Sequence, residues 1–238
     1  MNNMEDKNLP EDFEVVDVRI GKIMVLLLVL SMFGVILMSY TAGGMSEEET
    51  QIVEDKKIAD IKAETSKNSP PKDYTGKLSP VLNYTINGAV EGKWAHFSFS
   101  QGREFYADKV DNSSLDWDIA ISRARIVSNG GKTNPNAKGA IAVVPGESLD
   151  VVKTVPSIGF QTDSGASNPS ETVNQNLDKW YAYDFMKHTL TPKKDIYVIR
   201  TADGHHAKLK LISYYCGEAV GCYTFQYVYN GRDSTSFE

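Results

Sequence analysis

In Leu115-Asp116-Trp117-Asp118-Ile119-Ala120-Ile121-Ser122-Arg123-Ala124-Arg125-Ile126-Val127-Ser128-Asn129-Gly130-Gly131 the side chains alternate from the start. Trp117, Ile119 and Ile121 fall on one face and Asp118, Ala120 and Ser122 on the other, which is the period of a half-buried β-strand. The pattern predicts a central strand. Asn129-Gly130-Gly131 then ends the extended run, because these residues accept the positive φ of a tight turn. None of the side chains here has the character of a nucleophile or general base, so the stretch reads as architecture.

The same period recurs on both sides of this run. Val81 to Ile86, Trp94 to Ser100, Asp116 to Ser122, Arg125 to Val127, Ala140 to Val144, Ile196 to Thr201, His206 to Tyr215 and Cys222 to Tyr229 all read as strands. Turn chemistry separates them at Asn87-Gly88, Gln101-Gly102, Pro145-Gly146 and Asp203-Gly204. The expected fold class is all-β, a single antiparallel, hairpin-rich domain over residues 73–238. Residues 157 to 179 are polar and rich in Ser, Asn and Thr, and are expected to form a long surface loop.

The last two strands make the clearest hairpin. Tyr223, Phe225, Tyr227 and Tyr229 share one face of the final strand, so they complete the core or form a floor for a flat ligand, and the core is favoured. Cys216 and Cys222, the only cysteines, flank the hairpin tip. They are well placed for a disulfide in an oxidising compartment, whereas two thiols alone cannot complete a tetrahedral zinc shell.

Ahead of this domain the composition changes. Residues 1–22 form an acidic tail ending in Arg19 and Lys22, followed by an uncharged apolar run from Ile23 to Tyr40. As a helix that run spans roughly 27 Å, close to a bilayer core of about 30 Å, so a transmembrane helix over 23–40 is expected. A cleaved signal peptide is the competing reading. The basic pair before the run and Glu47-Glu48-Glu49 after it place the amino terminus inside and the β domain outside. Ser46 and Glu49 form a capping box for a stalk helix, and Ser66 to Lys72, with Pro70-Pro71, reads as a linker; residues 41–72 thus join anchor to domain.

Composition narrows the function. The chain has 238 residues, 41% hydrophobic and 24% charged, with a net charge of −6. The acidic balance and the lack of clustered Lys and Arg exclude a nucleic-acid partner. No catalytic motif of a hydrolase, zinc protease or dinucleotide enzyme is present. Gly88 to Lys93 imitates a phosphate loop but lacks the following Ser or Thr, and reads as a turn. Asp116 and Asp118 are read as satisfying backbone donors or pairing with Arg123 or Arg125. His96 is read as a satisfied or exposed histidine. Of the consecutive His205 and His206, at most one can serve a given iron. Met186 and His188, with Tyr181, Tyr183 and Phe185 upstream, combine soft ligands with aromatic faces, as an edge-bound porphyrin needs. His188 is therefore the candidate metal ligand, with Met186 and His206 as further cofactor-binding candidates.

Two blocks carry a resemblance to a known family. Trp117-Asp118-Ile119-Ala120 with Arg123, Ile126 and Asn129-Gly130-Gly131 is the first; Ile199 to Gly204 with Ala207 to Tyr215 is the second. In this order they resemble the HmuY-like haem-binding family, over roughly residues 80 to 230. The resemblance implies an all-β, extracytoplasmic domain that binds haem or a related tetrapyrrole through loop His or Met pairs. The absence of a cysteine near the end of the apolar run departs from the family's lipid-anchored members, and Pro145 to Trp180 holds no His or Met to pair with His188. Two functions follow: a non-enzymatic, membrane-anchored haem carrier serving a transfer partner, or an accessory single-helix subunit of a larger respiratory or photosynthetic membrane complex.

Overall fold

The structure, a computed structural model, describes residues 73–168 and 171–238. The acidic tail, apolar run, stalk and linker expected before residue 73 lie outside the described residues; among those described, no helix is long and apolar enough to cross a membrane.

Two antiparallel sheets make the domain. The first is ordered β1–β13–β12–β11–β6, built from β1 (Leu82–Asn87), β6 (Ala140–Pro145), β11 (Asp195–Arg200), β12 (His206–Cys216) and β13 (Ala219–Asn230). The second is ordered β3–β2–β4–β5, from β2 (Trp94–Ser98), β3 (Arg103–Ala107), β4 (Ile119–Ser122) and β5 (Arg125–Ser128). Two small ribbons complete the set, β7 (Ser164–Gly165) with β8 (Thr172–Val173), and β9 (Tyr181–Asp184) with β10 (Thr189–Pro192). The expected all-β antiparallel class is the observed one.

Period-two alternation sorts the core. From β11, Tyr197 and Ile199 enter the main cluster with Ile119 and Ile121 of the second sheet, while Ile196 and Val198 point to the opposite face. That face is covered by a 3₁₀ turn at Leu149–Val151 and by Phe237, so the strand is buried on both sides and reads as a continuous apolar run. Lys208 of β12 also points there. Its ammonium donates to the carbonyls of Leu149 and Val152, each at 2.9 Å, and lies 5.1 Å from the Phe237 ring centroid. Tyr223, Phe225, Tyr227 and Tyr229 are all buried in the main cluster. Burying an aromatic of this size is worth at most about 4–6 kcal/mol, which a solvent-facing ligand floor would forgo.

Several expectations change. Trp117 precedes β4 and packs with Ala120 and Val127 on the outer face of the second sheet, not with Ile119 and Ile121. The strand reverses at Arg123-Ala124, where Arg123 takes φ 52°, so Asn129-Gly130-Gly131 ends the next strand. Strands β3, β9 and β10, whose alternation is weak, join the expected set. Residues 157 to 179 are more than a surface loop. Asp163 accepts from the Ser128 amide (2.9 Å) and hydroxyl (2.6 Å), the Thr133 hydroxyl (2.7 Å) and the Asn174 amide group (3.0 Å), all within the interior. A Cβ at Gly131, φ +60°, would collide with the Asp163 backbone that crosses it.

The two blocks picked out in the sequence meet through one side chain. Asp118 is buried and accepts from the Ala202 amide (3.0 Å) and the Phe99 amide (2.8 Å). Asp118→Ala orphans both donors and should destabilise the fold by roughly 2–6 kcal/mol, at about 1–3 kcal/mol for each buried amide left without an acceptor. A lower urea midpoint at constant slope is the expected reading.

Burial pushes the Asp118 carboxyl up to about 7, against the pull of the Ala202 and Phe99 amides, and burial likewise raises Asp163 and Glu104. A raised acid keeps in the folded state a proton that the unfolded state has already released. These groups therefore stabilise most fully at low pH; for Asp118 the contribution is lost as pH rises from about 4 to 7, and Asp163 and Glu104 act in the same direction. His96 and His206, lowered chiefly by burial, act in the opposite sense. The difference between the chain and Asp118→Asn isolates the carboxyl: urea midpoints across pH 4 to 8 should fall less steeply in the variant.

Candidate functional site

The β9–β10 hairpin has a buried root and an exposed tip. At the root, Trp180 is fully buried, donates its indole N–H to the Ala124 carbonyl (3.0 Å) and packs edge-on against Tyr181. Leu190 donates its amide to the Tyr215 hydroxyl (2.8 Å), which ties β10 to the far end of β12. Asp184 shapes the turn by accepting from the amides of Met186 (2.9 Å) and Lys187 (3.1 Å). This is the side-chain turn mimicry that Asp favours.

At the tip, Tyr183, Phe185 and Met186 are 50%, 76% and 88% exposed. Large apolar groups this exposed on a rooted hairpin are unusual unless something covers them. His188 closes the turn in the left-handed region, φ 52°, a conformation that is costly for a residue with a Cβ and concentrates at functional sites. Its Nδ1 lies 2.6 Å from the Tyr183 hydroxyl, and its ring centroid is 5.9 Å from Phe185 and 6.1 Å from Tyr183. In the tautomer that donates Nδ1–H to the Tyr183 oxygen, Nε2 keeps its lone pair, the arrangement in which a metal-binding imidazole is oriented through its other nitrogen.

The other histidines stand elsewhere. His96 is buried between Phe105 and Trp117, its Nδ1 at 3.2 Å from the Trp94 carbonyl and its Nε2 accepting from the Asp111 amide (3.1 Å). Both ring nitrogens are thus occupied, the satisfied histidine expected for it. His206 begins β12 and Tyr215 nears its end, nine residues or about 30 Å away at ~3.4 Å per residue. The structure therefore brings His188 and Met186 together and holds His206 apart. Among the described residues no group of three or more His, Cys, Asp or Glu is placed to hold a metal ion. A tetrapyrrole brings four nitrogens of its own and asks the protein for only one or two further ligands, so the lack of such a cluster does not bear on it.

Sequence reading missed the Tyr183 hydroxyl as the partner of His188 and Asp184 as the organiser of the turn. The signal was faint: Tyr181 and Tyr183 alternate before four turn residues, and Thr189 and Thr191 after them. Cys216 and Cys222 form a disulfide, with Cα atoms 5.5 Å apart, near the same end of β12.

Among curated proteins none matches the chain. Solved structures do. An apo HmuY analogue from Tannerella forsythia aligns with a TM-score of 0.52 at 16% identity, covering 64% of this chain and 98% of that one. A candidate lipoprotein from Bacteroides fragilis gives 0.52 at 21% identity, with 67% and 93% covered. A candidate HmuY-like haem-binding protein from Bacteroides vulgatus gives 0.50 at 19%, with 62% and 90% covered. Identities this low establish a shared fold. The model of the HmuY protein family matches residues 91–227, more than half of the chain and both of the blocks joined by Asp118, and the chain therefore belongs to the HmuY family.

Proposed function

We propose that this protein binds haem or a related tetrapyrrole noncovalently, outside the cytoplasm, against the tip of the β9–β10 hairpin. The observation that carries the reading is the meeting of His188, oriented through Nδ1 by Tyr183, with the exposed faces of Tyr183 and Phe185 on a rooted turn. Membership of a family whose relatives include a candidate haem-binding protein supports it. The Cys216–Cys222 disulfide agrees with an oxidising compartment.

His188 and Met186 are two residues apart on one turn, so their Cα atoms lie at most about 7 Å apart, too near to stand on opposite faces of one porphyrin. His188, through Nε2, is the residue of the turn that would hold the iron of a bound haem, with the Met186 thioether beside it. Haem bound there would supply the iron and its redox chemistry, and the protein's part is to orient the imidazole and shield one ring face. A single protein ligand suits a carrier that passes its cargo to a partner. Residues 23–40 serve, in this reading, as the lipid anchor that keeps the domain at the outer surface.

Haemin titrated into the full chain should give a saturable, one-to-one Soret shift. His188→Ala should weaken binding by tenfold or more and change the spectrum of the complex, and Tyr183→Phe should weaken it by about tenfold, as loss of a metal ligand's orienting partner does. Absence of any shift at micromolar haemin sinks the carrier reading. Stable co-purification with other membrane proteins in mild detergent would then mark the chain as an accessory subunit.

A further inference from the structure

We propose that the groove at the other end of β12 is a second binding site, which takes a small polyanion carrying carboxylate or phosphate groups. The groove is open to solvent, has a volume of about 860 Å³ and is lined by Lys138, Arg200, Asp203, His205, His206 and Arg232. This volume lies within the range of small-molecule sites. It is separated from the hairpin tip by most of the length of β12 and shares no residue with it.

Its cations are pinned by backbone and aromatic groups. Arg200 donates Nε to the Lys138 carbonyl (2.7 Å), and its guanidinium lies 5.5 Å from the Phe160 ring centroid. Lys138 donates Nζ to the Asp203 carbonyl (3.2 Å) and crosses Gly204, φ +103°, where a Cβ would stand 2.9 Å from Lys138 Cδ. Arg232 donates to the Ser236 carbonyl (2.8 Å) and to the Asn230 side-chain oxygen (3.1 Å). Among the described residues, neither Lys138 nor Arg200 is ion-paired with a carboxylate. Their positions are held while their charge stays available, which is the preorganisation that anion recognition needs.

Two carboxylates, Asp203 and Asp233, share the groove with these cations, and neither is ion-paired with Lys138 or Arg200. Asp203 is committed to its own turn, accepting from the Thr201 hydroxyl (2.6 Å), the His205 amide (3.2 Å) and His205 Nδ1 (2.9 Å). Asp233 projects into solvent, 4.0 Å from His205 Nε2. Burial, then Arg200 and His205, lower the His206 pKa, and Asp203 raises it. In a chain of net charge −6 such a concentration of cations is local and specific.

Pyrophosphate and citrate, each titrated calorimetrically into the full chain at about 50 mM salt, test the site and separate the two chemistries. At least one should bind saturably at one to one, and the tighter of the two identifies the group preferred. Lys138→Gln and Arg200→Gln should each weaken that binding tenfold or more while the variants still unfold cooperatively, and His188→Ala should leave it unaltered. The proposal is overturned if neither anion binds at millimolar concentration, or if the Lys138→Gln/Arg200→Gln double variant binds as the parent does.

Discussion

One buried carboxyl group links the two sheets of this domain. Asp118 sits at the entry to β4 and takes one amide from the chain leaving β2 and another from the chain leaving β11, so a single side chain stitches the second sheet to the first. Without it, two interior amides, one in each sheet's connecting chain, would have no acceptor. Asn129 repeats the device nearby: its amide group donates to the Trp117 carbonyl at 2.7 Å and its backbone amide to the Asp118 carbonyl at 2.9 Å. Polar groups, each satisfied, thus set the relative position of two apolar faces. Hydrophobic burial is non-directional and could not do this alone.

From that frame the two candidate sites acquire their character. The β9–β10 hairpin is rigid where Trp180, Tyr181 and Leu190 join the main core, and apolar and exposed where Tyr183, Phe185 and Met186 leave it. The groove beside His206 is the reverse, a charged recess whose cations are fixed by carbonyl groups. β12 links the two, ending near the disulfide and Tyr215 at one end and starting at His206 at the other. On the two proposals, a flat, largely apolar ligand and a small anion would be kept to separate ends of the same strand, each met by the surface that matches its solvation.

Much of the architecture was legible in the sequence because alternation at period two is a local property. The long strands β11, β12 and β13, their aromatic face, the final hairpin and its cysteine pair all followed from residue order and turn chemistry. What failed did so for reasons of range. Trp117 continues the alternation of Ile119 and Ile121 on paper, yet its indole is drawn to the Asp111 carbonyl (3.0 Å) and its ring to His96, so it turns to the outer face. Asp163 and Asn174 sit in a segment whose composition is that of a loop, and only their partners Ser128 and Thr133, some thirty or more residues earlier, make them interior groups.

The candidate ligands divide along the same line. The sequence by itself determined which atoms could meet an iron, His and Met being few, and that Tyr and Phe flank His188. It also determined the all-β class and the family, since both are written in short-range patterns. Only the tertiary structure decided that His188 and Met186 share one turn, that Tyr183 holds Nδ1, and that His206 belongs to a different recess among Lys138 and Arg200. The physical reason is that periodicity fixes which face a side chain takes within its own strand, whereas distances between strands depend on packing and on long-range acceptors such as Asp118.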